Sequence, residues 1–297
     1  MKRLQEAAAG FDEAVAIEVG RLPASIGAFA GHALTGGKRV RPRVVRAFAT
    51  ACGNATEDAL RFAVAVEFIH KASLIQDDLP CMDSDSVRNG RPTLHVVCSP
   101  AEAVLVSDVL IAHAFRVCAE SATPAEAVGI LSEAVLSLAA GQAADLAGTV
   151  TRSDSDWRAV SDAKTGALFS ASAHLGVLAS GQPSEWLQTV AGQFGRSLGR
   201  VYQWYDDMRD GDAGHLSPSL LEPELRAIRD ALIELPDAEP VAKLLDHLVS
   251  SIAPSSRDAF APAVSLESIR PTPQIIKEQR RDAQLEPLNN SPRHRQL

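Results

Sequence analysis

Apolar residues recur along most of this chain at intervals of three and four, the period of a helix that buries one face. In EDALRFAVAVEFIHKASLIQ, residues 57–76, Leu60, Val64 and Phe68 follow that spacing and no glycine interrupts it. SPAEAVLVSDVLIAHAFRVCAES opens with Ser99 as a cap, Pro100 in the first turn and Glu102 three residues after the cap. That order predicts a capping box followed by a long helix. The segment from Thr123, TPAEAVGILSEAVLSLAAGQAADLAG, repeats the same order. TGALFSASAHLGVLASG is rich in small residues and suits close helix–helix contact. WLQTVAGQFGRSLGRVYQWYDDMRDG is a further long apolar-faced helix that ends at glycine. Strand alternation is nearly absent, so the pattern predicts an all-α fold, a bundle of long helices. From about Ala253 the periodicity fades into proline and charge. Residues 1–252 are therefore expected to form one helical domain. Residues 253–297 read as a largely disordered tail, with at most a short helix in QIIKEQRRDAQLE.

Composition narrows the setting. The chain has 297 residues, 46% of them hydrophobic and only 5% aromatic, enough for a large core built on Ala, Leu and Val. A net charge of −8 argues against nucleic acid as a partner. The four cysteines form no CxxC pair, and the N-terminus lacks the apolar core of a secretory signal. No continuous apolar run approaches the ~18 residues of a membrane span. A cytoplasmic protein without a stable membrane anchor is expected.

Two acidic clusters stand out. SLIQDDLPCMDSD places Asp77, Asp78, Asp83 and Asp85 directly after an apolar helix. Adjacent carboxylates repel unless a cation or proton lies between them. Pro80 ends or distorts the helix there, which folds Asp83 back toward Asp77. YQWYDDMRDGD supplies Asp206, Asp207, Asp210 and Asp212. Asp206 and Asp210 are i and i+4, so they share one helix face, a spacing suited to a hard cation such as Mg²⁺ that retains waters for a phosphate ligand. Either cluster alone reads as a solvated helix end. Two of them, each ending a long apolar helix in one bundle, point to a metal site between facing helices. The basic groups GGKRVRP (Lys38, Arg39, Arg41), VRNGRP (Arg88, Arg91) and KTG (Lys164, Thr165) are the natural counterpart. Lys38 and Arg41 would be neighbours if that stretch were helical. Metal-bearing carboxylates opposite Lys and Arg suit a diphosphate.

The segments GGKRVRP, EFIHKASLIQDDLPCMD, RNGRPT, GQAADL, KTGAL and YQWYDDMRD occur in order over residues 30 to 215. Together they resemble the trans-isoprenyl diphosphate synthases, the short-chain polyprenyl synthetase family. The resemblance implies a bundle of antiparallel helices around a central cavity. It implies a homodimer that uses Mg²⁺, three ions per site, to join isopentenyl diphosphate to an allylic diphosphate. By matching positions, Asp77, Asp83, Asp206 and Asp210 would be the metal ligands, with Asp78 supporting them. Arg88, Lys164, Thr165 and Gln203 would contact the allylic diphosphate. Lys38, Arg41 and His70 would hold isopentenyl diphosphate. The chemical step would then fall to Asp77, Asp78, Asp83, Lys164 and Asp206.

The chain departs from that family in three places. Asn89 stands where a second arginine is usual, which removes one charge-assisted phosphate contact. Trp204 and Tyr205 bring bulk beside the second acidic cluster. GDAGHLSPSLLEPELRAIRDALIEL contains no lysine where the family carries a glycine-lysine loop. An elongating short-chain synthase is the leading expectation. The alternatives are a lyase or cyclase that ionises an allylic diphosphate without elongation, and a non-catalytic subunit of a heteromeric synthase. Small residues at Ala72 and Ser73, one turn before Asp77, are expected to let the product reach twenty rather than fifteen carbons.

Overall fold

The computed structural model describes residues 2–147, 154–210 and 220–252. It is built from α1 (Lys2–Gly20), α2 (Ala24–Leu34), α3 (Val40–Ala51), α4 (Asp58–Asp77), a hairpin of β1 (Val87–Arg88) and β2 (Arg91–Pro92), α5 (Leu94–Val97), α6 (Pro100–Ala119), α7 (Pro124–Leu146), α8 (Asp154–Ser161), α9 (Ala167–Leu178), α10 (Glu185–Asp210), α11 (Leu221–Glu234) and α12 (Glu239–Ile252). A π-helical turn, Asp162–Gly166, joins α8 to α9. The all-α expectation holds, and the tail from 253 onward lies outside the described residues.

The helices pack into two apolar clusters that share α3 and α9. Val45 and Ala49 of α3 join Leu168, Ala171 and Leu175 of α9 in the cluster around α4 and α6. Val44 and Phe48 join Phe169, Ala173 and Val177 in the cluster around α10, α11 and α12. Both helices are thus buried on opposite sides, which ties the two clusters into one body. Helix α9 is apolar or small nearly all round, the pattern of a central helix. Small residues set its spacing: a Cβ at Gly176 would stand 2.5 Å from the Val45 carbonyl oxygen, and one at Gly195 would stand 2.4 Å from Ser170 Cα. Helix α4 is likewise buried on most sides from Ala59 to Ile75.

The expected capping box forms: Glu102 N donates to Ser99 Oγ at 3.2 Å and Ser99 N donates to Glu102 Oε2 at 2.8 Å. Its repeat at Thr123 does not form, because Thr123 lies at φ −127, ψ 63 and its side chain caps nothing. The hairpin was not foreseen. Two-residue strands show no alternation, yet the Asn89-Gly90 turn between them carries positive φ at both positions (52 and 74), the requirement of a tight two-residue turn. Val87 pairs with Pro92 and Arg88 with Arg91. Helix α7 also departs from expectation. Its 23 residues are long and apolar enough to cross a membrane by length and composition, with 22% of the apolar window buried. Glu126, Glu133 and scattered small or polar residues break its apolar run while the mean hydropathy of its best window stays at 1.4, so a search for continuous apolar residues passes over it.

Candidate active site

The first acidic cluster forms as the chain leaves α4. The helix ends at Asp77, and Asp83 N donates to the Asp77 carbonyl at 2.9 Å, while Ser84 N donates to Leu79 O at 3.1 Å. These bonds close the turn around Pro80 and bring Asp83 back over the helix end, as the proline led one to expect. Asp78 is buried and accepts from Arg88 Nε at 2.7 Å. The hairpin is what delivers Arg88 to that carboxylate. Asp77 lies one position round the helix and has no such bond among the described residues. Burial pushes its carboxyl up to about 6; Lys164 and Arg88 oppose that rise, and Asp83 and Asp78 add to it. Asp77 is thus a half-buried carboxyl with both carboxylates and cations among its charged neighbours.

The opposite wall is built by the π-helical turn and α10. At Gly199 the two backbones meet: a Cβ there would stand 2.5 Å from Gly166 Cα, so only glycine permits the approach. Arg200 of α10 holds the turn from the side, donating to both oxygens of Asp162 at 2.7 and 2.6 Å and to Glu224 of α11 at 2.8 Å. Arg158 reaches the same Glu224. This anchoring places Lys164, which pairs with Asp145 of α7 and acts electrostatically on Asp77. Thr165 Oγ1 donates to Gln203 Oε1 at 2.6 Å, and Gln203 Nε2 donates to Asp207 Oδ1 at 2.7 Å. Trp157 Nε1 completes the chain on Asp207 Oδ2 at 2.8 Å. Asp207 is thereby committed to structure. Asp206, its neighbour, instead acts on Arg41.

Arg41 joins the two walls. Its guanidinium carbon stands 4.5 Å from the Phe169 ring centroid, Nη1 lies 3.4 Å from His70 Nε2, and its buried Nε has no hydrogen-bond partner. Burial holds the His70 imidazole well below its usual range, with Arg41, Lys71, Arg88 and Arg39 adding to the effect. A neutral imidazole accepts from Arg41 and fixes the guanidinium in place. Lys38 is exposed just ahead of α3, and Arg39 takes the left-handed conformation (φ 53) as the helix cap. The i and i+3 relation of Lys38 and Arg41 is therefore not a helical one. Arg39, between the two candidate phosphate ligands in sequence, is a structural clamp. It donates to Glu67 Oε1 and to Leu34 O, each at 2.5 Å, and so ties the Gly36-Gly37 loop to α4.

Asp210 is the last residue of α10; its side chain, and Asp212 with the lysine-free loop, lie outside what is described. Asp145, Asp162, Arg200 and Glu224 were missed because their partners are 19 to 66 positions away in sequence. Among the described residues no three carboxylate, imidazole or thiolate groups converge. A cation here would take one or two carboxylates and complete its shell with water and ligand oxygens, which is the habit of Mg²⁺. Asp77 and Asp83 are hard oxygen donors, and Asp77 gains a counter-charge on binding, so these residues fit that ion.

Known proteins resemble this chain in sequence and in fold. A family model described as Polyprenyl synthetase matches residues 24–214. The chain is 34% identical over 262 residues to a geranylgeranyl diphosphate synthase of Cereibacter sphaeroides, covering 84% of this chain and 87% of that protein. It is 39% identical over 189 residues to the mitochondrial geranylgeranyl pyrophosphate synthase 10 of Arabidopsis thaliana, where the match covers 60% of this chain and spans 55% of that protein's length. The fold superposes with a TM-score of 0.69 on the crystal structure of a putative farnesyl-diphosphate synthase from Marinomonas sp. MED121, at 26% identity, covering 82% of this chain and 97% of that one.

Proposed function

Because this chain belongs to the polyprenyl synthetase family, we propose that it is a short-chain prenyltransferase that condenses isopentenyl diphosphate with an allylic diphosphate. The observation that carries this reading is Asp77: a half-buried carboxyl beside Asp83 and Asp78, faced by the cations Lys164 and Arg88.

In the reaction the allylic carbon–oxygen bond breaks and pyrophosphate leaves. The double bond of isopentenyl diphosphate attacks the allylic cation, and a proton is then lost, so the chain grows by five carbons. Asp77 and Asp83 on one wall, and Asp206 and Asp210 on the other, would hold Mg²⁺. Bound there, the ions supply positive charge to the departing pyrophosphate. Lys164 and Arg88 orient the same group, and Thr165, fixed by Gln203, offers a hydroxyl on that side. Arg41, steadied by neutral His70, and Lys38 hold the second diphosphate. Phe169, packed beneath Arg41 in the core, supports the guanidinium from below. Ser73 stands one turn before Asp77 on the same face, and Ala72 is fully buried within the core. Of the two, Ser73 alone lies on the Asp77 face, and its small size favours a C20 product over C15.

The partner copy of a homodimer fits the outer faces of α6 and α7, where Val104, Leu105, Leu136 and Leu146 are exposed. An apolar face of that kind on a helix rim suits a second subunit.

The test is incubation of the protein with Mg²⁺, labelled isopentenyl diphosphate and each of the allylic primers of five, ten and fifteen carbons. Elongated C20 diphosphate supports the reading. Pyrophosphate release from an allylic primer alone, with no elongated product, would replace it with a lyase or cyclase.

A further inference from the structure

Trp157 of α8 reaches the second acidic cluster from 50 positions away in sequence. Its ring packs against the apolar cluster of α10, α11 and α12, and its Nε1 donates to Asp207 Oδ2 at 2.8 Å. The other oxygen of Asp207 accepts from Gln203 Nε2 at 2.7 Å, and Gln203 Oε1 accepts from Thr165 Oγ1 at 2.6 Å. Gly199, Gln203 and Asp207 are four apart and form one stripe of α10. The glycine brings that stripe against the π-helical turn, where Thr165 is buried.

Each hydrogen bond in this chain has one possible direction. An indole N–H only donates, and an ionised carboxylate only accepts. Gln203 must therefore turn its amide nitrogen to Asp207, which leaves its carbonyl for Thr165. The reverse orientation would set Gln203 Oε1 against the carboxylate. Thr165 in turn spends its hydroxyl proton on Gln203, which fixes its side chain. The indole holds the far end of this series, because it engages the second oxygen of Asp207 and so sets the plane of the carboxylate. Without that N–H, Oδ2 would keep no donor among the described residues. The carboxylate would turn toward water, and Gln203 would lose its anchor. The series ends at Thr165 and Gln203, where the reading above places the allylic diphosphate.

We propose that Trp157 is a positioning residue for the allylic substrate, acting through Asp207, Gln203 and Thr165. This rests on the prenyltransferase reading above. Aromatic bulk is not what the position requires: a ring that packs there but cannot donate should fail.

The experiment compares wild type, Trp157→Phe, Asp207→Asn and the double variant. Steady-state kinetics in Mg²⁺ give KM for each substrate. Calorimetric titration with the five-carbon allylic diphosphate, in Mg²⁺ and without isopentenyl diphosphate, gives binding directly. Trp157→Phe is expected to weaken that binding about tenfold and to raise KM for the allylic substrate by a similar factor, the loss of one hydrogen bond to a charged group. KM for isopentenyl diphosphate should stay unchanged. Asp207→Asn should do the same, because its one carbonyl oxygen cannot accept from both Trp157 and Gln203. In the double variant that oxygen is left to Gln203 alone, so the double should be no worse than either single. Losses that multiply to about a hundredfold would overturn the proposal, since the two residues would then act separately. Trp157→Phe with wild-type binding and KM would also overturn it. So would a lowered Tm with both KM values raised together, the result of a packing role alone. If wild type elongates while the variants match it, the positioning role falls and the prenyltransferase reading stands. If wild type elongates nothing but binds the allylic diphosphate through this series, the positioning role stands and the prenyltransferase reading falls.

Discussion

Asp77 pays for its position in stability, and that cost can be measured. Burial raises its carboxyl to about 6 in the metal-free protein, well above the usual range. A raised carboxylate pKa means that the folded state binds the proton more tightly than the unfolded chain. This contribution is present below about pH 4 and is lost as pH rises toward 6. Metal-free protein should therefore lose stability across that window. Asp77→Asn should flatten the loss and raise Tm in EDTA at pH 7, by about 2–4 °C for each kcal/mol recovered. The same variant should lower turnover in Mg²⁺ by at least about a hundredfold. A Tm in EDTA that is unchanged from wild type would show that the ionised Asp77 carries no penalty. Asn89 gives a second residue-scale case. From sequence alone, Asn89→Arg is expected to restore a phosphate contact and lower KM for isopentenyl diphosphate. The structure adds a cost, since a left-handed backbone disfavours arginine by about 1 kcal/mol. Thermal scans should show Asn89→Arg lower by about 2–4 °C and Asn89→Gly near wild type. Equal Tm values for all three would remove the turn argument.

At the scale of elements, α4 divides its work by face. His70, Ser73 and Asp77 lie three and four apart and share one side. Lys71, Leu74 and Asp78 occupy the next and line a pocket between the Gly36-Gly37 loop and the hairpin. Ala72 has no exposed surface and sits in the core that α4 shares with α6, and Ser107 Oγ donates to its carbonyl at 3.2 Å. An aromatic at Ala72 would first have to repack that core, a change that typically costs 1–3 kcal/mol. Ser73 is partly exposed on the Asp77 face, about 6 Å along the helix. Ser73→Phe is therefore the cleaner probe of product length. It should shift C20 product toward C15 with little change in Tm, as read by chromatography of the dephosphorylated alcohols. An unchanged product distribution would remove Ser73 from the tunnel floor.

For the whole molecule, the two apolar clusters meet across α3 and α9, which leaves α6 and α7 at the rim. Leu136 is 64% exposed and Leu105 55%. Leu136→Glu should convert a dimer to monomer in sedimentation velocity. Because the side chain is not part of the monomer core, the fold should survive the change. A wild-type protein that sediments as a monomer would show that this face serves no second copy.

The helices and their order were legible because helical period is local: three or four residues decide which face is apolar. The capping box at Ser99 and the fold-back of Asp83 were legible for the same reason, since both partners lie within six residues. Both acidic clusters and most of the candidate ligands could be named from residue type and spacing. Other features depend on partners far apart in the chain, and only the tertiary structure decided them. Periodicity does not say that Asp207 is held by Trp157 and Gln203. It does not say that Arg39 is spent on Glu67, or that the hairpin brings Arg88 to Asp78. Lys71 shows the limit most clearly. In sequence it is one charged residue on an apolar helix; only the packing of the Gly36-Gly37 loop and the hairpin against α4 gives it a pocket. Residue type determines what a side chain can bind, and packing determines which of those capacities is left unused.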